Sequence, residues 1–419
     1  MGWTSALTLL QYGKQFIKHR RMLHEFLNQH TCLDYLPTQT EEARKLVRNI
    51  IAEPDEFRNY LARFAASSIL RVAYGQSIES DSDPFLGMIH DVTEAVNKGG
   101  APGNTPVDFF PWLRHLPSWF PGTYYSTHAH RYRHRILKLH SYPIELVRKQ
   151  LAQGTAEYSF AQHHLTALDS KSESDPQELE DISGAAGVMY AAGADTTYST
   201  LSIFALLMTL HPECQRKAQE EIDAIIGPDR LPTYTDRPSL PYLECILQET
   251  LRWYPVVTVG VPHRSIADDV YKGFFIPKGS MIFANIRGMS LNENTYADPN
   301  RFMPSRFLPK PEGNGEPHFE SVWGFGRRQV QLKHLIFDRG IFNILFSVCI
   351  GQHFANASLW LAMATILATL NITKSKDKYG NEITPEVVFT TGMIQLPAPF
   401  KCSMRARSPA AEHLVHAQF

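Results

Sequence analysis

Residues 181–211, DISGAAGVMYAAGADTTYSTLSIFALLMTLH, are apolar on nearly every side. A helix with no polar face must be wrapped by other elements, so this stretch predicts a buried central helix and a large core around it. The rest of the chain can supply that wrapping: of 419 residues, 43% are hydrophobic and 20% charged, an ordinary globular balance. No Gly/Ser-rich or Pro-rich linker divides the chain, which points to one large domain. The formal net charge of −1 provides no global field that would recruit nucleic acid or an anionic membrane.

Helical periodicity, with apolar residues three and four apart, runs through 1–75. It breaks at 99–124, a loop dense in Pro, Gly and aromatics, among them Phe109, Phe110, Trp112, Trp119 and Phe120. Such a loop either dips into a membrane interface or caps the core. Helix resumes over 124–153, and the polar stretch 167–181 reads as a surface loop. Further helices are expected at 212–226, 240–253 and 349–371. Strand-like and loop-rich character occupies 256–309 and 381–404, and 406–419 reads as a flexible tail. The fold class is mainly α with a minor β portion. The N-terminus lacks an apolar run long enough to span a membrane and lacks a signal-peptide pattern. Five widely spaced cysteines, Cys32, Cys214, Cys245, Cys349 and Cys402, are odd in number and without a CxxC pair, which fits a reducing compartment.

Four constellations carry chemistry. Asp195, Thr196 and Thr197 interrupt the central helix beside Gly193, and buried polar groups need partners. They form either a satisfied polar kink or a bulge that opens a groove for water or a diatomic ligand. Glu249 and Arg252 are three apart and share a helix face; taken alone, such pairs are common. Arg306 sits in the turn-rich DPNRFMPSRFLP. Trp323 to Arg328 spell WGFGRR, and Cys349 precedes Gly351 and a new helix, where orphan N–H groups and the helix dipole stabilise a thiolate.

The order AGADTT, ExxR, PSRF, FGFGRR-like turn and CxG opening a helix resembles the cytochrome P-450 signature, and the resemblance spans the chain to about Met404. It implies the cytochrome P-450 fold, a haem cofactor and insertion of one oxygen atom from O2 into a hydrophobic small molecule, in secondary metabolism. It implies Cys349 as the axial thiolate, whose electron push favours O–O cleavage. It implies Arg328, Arg264 and Arg20 as partners of the haem propionates, with Phe16 where a tryptophan is usual. Glu249, Arg252 and Arg306 would be the buried structural triad, and Ser305 stands where the family carries a glutamate. Asp195 and Thr196 would be the acid–alcohol pair that relays protons. Val188, Ala191, Ala194, Val256, Val257 and Met393 would line an apolar substrate pocket. Electrons would come from NADPH through a partner reductase. The type looks eukaryotic, microsomal and fungal-like, which implies the cytosolic face of the endoplasmic reticulum, with peripheral contact through 109–121 and an N-terminal anchor missing from this chain.

The chain departs from that pattern in one loop. The family puts one residue between the arginine and the cysteine, whereas residues 329–348 separate Arg328 from Cys349. The excess, 329–347, is expected to be a retained intron in the coding sequence, and as protein it would push an apolar flap into the ligand loop. An alternative reading is therefore an inactive, mis-spliced or truncated remnant without haem. Two others are a haem-thiolate relative that does not hydroxylate, disfavoured by the Asp195–Thr196 pair, and a zinc site at His128, His130 and His134, disfavoured by the interleaved arginines.

Overall fold

The computed structural model describes residues 1–99, 103, 105–171, 175–325 and 348–417. Apolar spacing folds the first part into amphipathic helices: α1 (Lys14–Leu27), the single turn α2 (Thr31–Asp34), α3 (Leu36–Ala52), α4 (Phe57–Tyr74) and α5 (Pro84–Gly99). The helical character expected of 1–75 holds, with breaks that have local causes. Asn28 ends α1, and its side-chain oxygen accepts the N–H groups of His30 and Thr31 at 3.0 Å each. Gly75 ends α4 in the left-handed region at φ 66°, which glycine adopts without steric cost.

A short turn, α6 (Pro106–Phe109), interrupts the aromatic loop, followed by α7 (Tyr124–Gln153) on the expected bounds. Next come α8 (Phe160–Asp169) and the 35-residue α9 (Pro176–Leu210). The expectation of a surface loop at 167–181 is corrected, since ALD closes α8 and PQELED opens α9. The reason is local: the Asp175 carboxylate accepts the Gln177 N–H at 2.9 Å, and Pro176 occupies the first helical position, where its missing N–H costs nothing.

Neighbours approach α9 closely because it offers glycines. A Cβ at Gly184 would lie 2.2 Å from the Ser5 carbonyl, at Gly187 2.4 Å from His140 Nδ1, and at Gly193 2.8 Å from Ile69 Cγ1. Gly193 thus admits α4, and α9 continues as α-helix where a bulge was a possibility. Near its start, α9 is tied to α1. Asp181 accepts from Gln15 at 2.8 Å and from Lys18 at 2.7 Å, and His19 Nε2 lies 3.1 Å away. Burial pushes the Asp181 carboxyl up, but the bonds from Lys18, Gln15, His19 and Gln177 outweigh it and hold the pKa at about 2.

The remaining helices are α10 (Pro212–Ile225) and α11 (Pro241–Trp253). Two small antiparallel pairs follow, β1 (His263–Arg264) with β4 (Met281–Ile282) and β2 (Asp269–Tyr271) with β3 (Phe274–Ile276). Then come α12 (Ile286–Ser290), the buried α13 (Gln352–Thr369), and a sheet in which β5 (Leu370–Lys376) lies between β6 (Glu382–Ile383) and β7 (Cys402–Ala406). The flexible tail expected at 406–419 is also corrected. Residues Pro409–Ala417 form α14, Val415 is buried in the core, and Arg407 donates to Asp223 at 3.0 Å.

Two large apolar clusters make up the interior, and α9 runs through both. Its first half, Ile182 to Ala194, packs with α1, α4, α5, α7 and α8; its second half, Leu201 to Met208, packs with α3, α11 and α13. The polar run from Asp195 to Thr200 lies where one cluster gives way to the other.

Candidate active site

Behind α11 the triad residues meet. Arg252 donates to Glu249 twice, Nε at 2.7 Å and Nη2 at 2.8 Å, and Arg306 Nε donates to the same carboxylate at 3.0 Å. All three side chains are fully buried. The spare guanidinium hydrogens go to carbonyls: Arg252 to Ser290 and Pro299, Arg306 to Ala297, Asp298 and Arg301. A fourth member, missed in the sequence, is Glu316, which accepts from Arg306 Nη1 at 2.7 Å. Two acids and two arginines balance the cluster. Burial alone would lower the Arg306 pKa, and Glu249 and Glu316 outweigh it and raise it. Ser305 lies outside these ion pairs.

The cysteine loop is anchored at both sides of the expected insertion. The Cys349 N–H donates to the Trp323 carbonyl at 2.7 Å, so chain positions 323 and 349 are in contact. Arg20 on α1 donates to the Val348 carbonyl at 3.1 Å and lies over the Phe16 ring at 5.9 Å. Gly351 caps α13, and its N–H points at the Cys349 sulfur. Cys349 is exposed to solvent whereas Cys32, Cys214, Cys245 and Cys402 are buried. Yet it is closely surrounded: burial pushes its thiol pKa up, with Gly351 and Arg20 pulling the other way. A side chain both accessible and desolvated lies in a recess. The Gly351 N–H and Arg20 favour the thiolate, and burial outweighs both. Arg328 and 329–347 lie outside the described residues. Arg264 is exposed on β1, with its guanidinium against the Gly279 turn.

On α9, Ala192 is exposed although the helix is central, and Val188, Ala191 and Thr196 beside it are half-buried. Val188, Ala192 and Thr196, four apart, form a stripe with Ala191 at its side that opens onto space inside the fold. Ala194 is corrected as a pocket residue: it is 1% exposed within the closed apolar cluster. Ile350, next to Cys349, packs on the same cluster as Val188, Ala191 and Phe16, which brings the cysteine loop, α1 and α9 around one interior region.

The acid and the alcohol face different partners. Thr196 Oγ1 donates to the Ala192 carbonyl at 2.7 Å, a back-bond that competes with the helix ladder. Thr93 of α5, which no sequence signal marked, lies beside Asp195 and pulls its pKa down, but burial outweighs it and raises the pKa to about 6. A carboxyl in that range exchanges its proton near neutral pH.

The remaining pocket candidates come together at the C-terminal turn. Gln395 N–H donates to the Val256 carbonyl at 2.8 Å, and Tyr254 Oη to Gln395 Oε1 at 2.6 Å. Phe389 stacks on Tyr254 with ring centroids 3.4 Å apart. Val256 is thereby tied to the turn that carries Met393, and Val257 follows it in the chain. His128, one of the histidines weighed as a metal ligand, bonds the Ala95 carbonyl at 3.0 Å.

The family model for cytochrome P450 matches residues 2–331 and so ends inside the 329–347 segment. The chain is 34% identical, over 99% of its length and 78% of the relative's, to a cytochrome P450 monooxygenase of Armillaria gallica. It is 35% identical to cytochrome P450 monooxygenase claR of Ampulloclitocybe clavipes (99% of this chain, 73% of that protein) and 36% identical to cytochrome P450 monooxygenase 208 of Postia placenta (100% and 77%). These relatives do not favour the remnant reading. With the mainly α fold, the arginine–glutamate cluster and the recessed cysteine in place, the chain belongs to the cytochrome P450 family, haem-dependent oxidoreductases of the monooxygenase type.

Proposed function

We propose that this chain holds haem through Cys349 and oxygenates a small hydrophobic molecule in secondary metabolism, with electrons from NADPH through a partner reductase. The observation that carries the reading is the recessed, accessible Cys349, fastened by Trp323 and Val348 beside the cationic Arg20. That donor set fits haem: a sulfur for iron, an arginine for a propionate, and an open stripe on α9 where a flat apolar group has room. Bound there, haem would supply the redox chemistry that activates dioxygen.

The chain's own residues would do the rest. Arg20 pairs with a propionate, and Arg264 and Arg328 are proposed for the same task. Asp195 takes up a proton near neutral pH and passes it, through water, to the Thr196 hydroxyl. Val188, Ala191, Val256, Val257 and Met393 shield the site and offer a substrate no ionic anchor, which selects for hydrophobicity. The 329–347 segment is proposed as a non-family insertion within a single domain. Phe109, Phe110, Trp112, Trp119 and Phe120 are exposed and do not cap the core. This supports peripheral membrane contact through 109–121, on the cytosolic face of the endoplasmic reticulum. No helix among the described residues is long and apolar enough to cross a membrane.

The test is isotopic. The haem-loaded chain, a fungal NADPH-cytochrome reductase, NADPH and a fluorogenic alkoxycoumarin are incubated under 18O2. One labelled oxygen per turnover in the aldehyde released from the alkoxy group, trapped before it exchanges, with the second atom leaving as water and with reductase-dependent NADPH use, supports the reading. Product that forms only from added peroxide, with none from O2, NADPH and reductase, overturns it.

A further inference from the structure

The end of α5 and the turn at 392–394 are fitted together by geometry that no motif marks. Gly392 has φ +142°, and a Cβ on it would lie 2.7 Å from Asn97 Oδ1 and 3.1 Å from Asn97 Cα. The helix end therefore occupies the space that any other residue's side chain would need. The Ile394 N–H donates to the same Asn97 oxygen at 3.4 Å.

The turn is held firmly from its other side. Besides the Gln395–Val256 and Tyr254–Gln395 bonds and the stacked Phe389, Thr390 N–H donates to the Leu396 carbonyl at 2.9 Å and Ala398 N–H to Val388 at 2.8 Å. One side of this junction is thus cross-braced, and α5 is the other. One helical turn before Asn97 stands Thr93, where α5 packs against α9 and where it holds down the raised pKa of Asp195. A spacing of four puts both polar side chains on one face of α5, so a single helix touches the acid on α9 and the turn that carries Met393.

We propose that Asn97 is a positioning residue, a latch that seats the end of α5 on the 392–394 turn, closes the pocket beside Met393 and keeps Thr93 in register with Asp195. The proposal rests on the assignment of the pocket and of Asp195 given above. Its chemistry is specific: the latch needs a compact side chain with an acceptor oxygen opposite Ile394, over a residue without a Cβ. Without the latch, α5 separates from the turn more often, small apolar ligands enter and leave faster, and the acid loses its partner for part of the time.

The test compares the full chain with Asn97→Ala, Asn97→Asp and Gly392→Ala by hydrogen–deuterium exchange read by mass spectrometry. The haem-loaded forms are followed in parallel for association and dissociation of 4-phenylimidazole. In Asn97→Ala, exchange over 390–396 and over 90–99 is expected to rise about tenfold, the opening expected for loss of one hydrogen bond. Both ligand rate constants should rise with it. Asn97→Asp keeps the acceptor and should stay near the parent, and Gly392→Ala should reproduce Asn97→Ala from the opposite side. Unchanged exchange in both Asn97→Ala and Gly392→Ala, or equal effects of Asn97→Ala and Asn97→Asp, would overturn the latch. The exchange measurement needs no haem, so failure to load haem counts against the functional reading alone.

Discussion

The Glu249–Arg252–Arg306 cluster and Asp195 both take charge out of water, and they are built in opposite ways. One oxygen of Glu249 alone accepts from Arg252, Arg306 and the Met303 N–H, at 2.8, 3.0 and 2.8 Å. Every strand of that network ends on a partner, and Glu316 completes the charge balance. Asp195 has Thr93 beside it and, among the described residues, no charged neighbour that shifts its pKa, so burial raises it to about 6. Full satisfaction fixes geometry; partial satisfaction leaves a proton free to move. The first region holds the fold and the second is suited to chemistry, and the two lie on helices that pack against each other.

The comparison breaks most visibly at its locked end. Glu249→Gln should leave two buried guanidinium groups short of charge and cost about 3–5 kcal/mol, read as a lower midpoint in urea unfolding. A loss within that of a surface substitution would mean that the cluster is not what holds the core.

At the poised end the signs reverse. The Asp195 pKa is raised from 3.8 to about 6, so the folded chain binds this proton more tightly than the unfolded chain. Its contribution to stability is fully present below about pH 4 and is lost as pH rises to about 6. Asp195→Asn should abolish that slope and raise stability at pH 7 by about 2–3 kcal/mol. The same change should slow turnover by about 100-fold, the loss of a positioned proton donor. A destabilised Asp195→Asn would show that the carboxylate is a structural charge after all.

Asp181 sharpens the contrast between these extremes, because it too is buried but well bonded. Its pKa is held at about 2, so the sign is opposite: its contribution is present above about pH 4 and is lost as pH falls through about 2. Asp181→Asn should cost about 2 kcal/mol at pH 7, detectable by the same unfolding measurement. The loss should vanish at pH 2, and one that persisted there would place the effect in packing rather than charge.

The two regions also differ in how far the sequence revealed them. Glu249, Arg252 and Arg306 were legible because each sits in a short motif and the motifs occur in a fixed order. Glu316 was not, since it lies in a loop and its role comes from the path that brings it to Arg306. Asp195 and Thr196 were legible as polar residues in an apolar helix. Their separate partners, Thr93 and the Ala192 carbonyl, depend on the packing of α5 against α9 and on helix geometry. Ala194 and Ala192 are two positions apart, and periodicity alone did not say which faced the open space. At the level of elements, α7 and α11 were bounded by Gly154 and by the Tyr254-Pro255 stop. The α8 helix went unread because its Ser159 cap sits in a polar stretch, and the tail because α14 is stabilised by tertiary burial of Val415.

The proposal stands or falls on whether Cys349 reaches haem iron in the chain as it stands, with residues 329–347 present. The direct test is the reduced carbon-monoxide difference spectrum of the expressed chain beside a version lacking 329–347. The intact chain is expected to show the strongly red-shifted Soret band of thiolate ligation. A band that appears only after the deletion would contradict the proposal and mark the intact chain as a mis-spliced, inactive product.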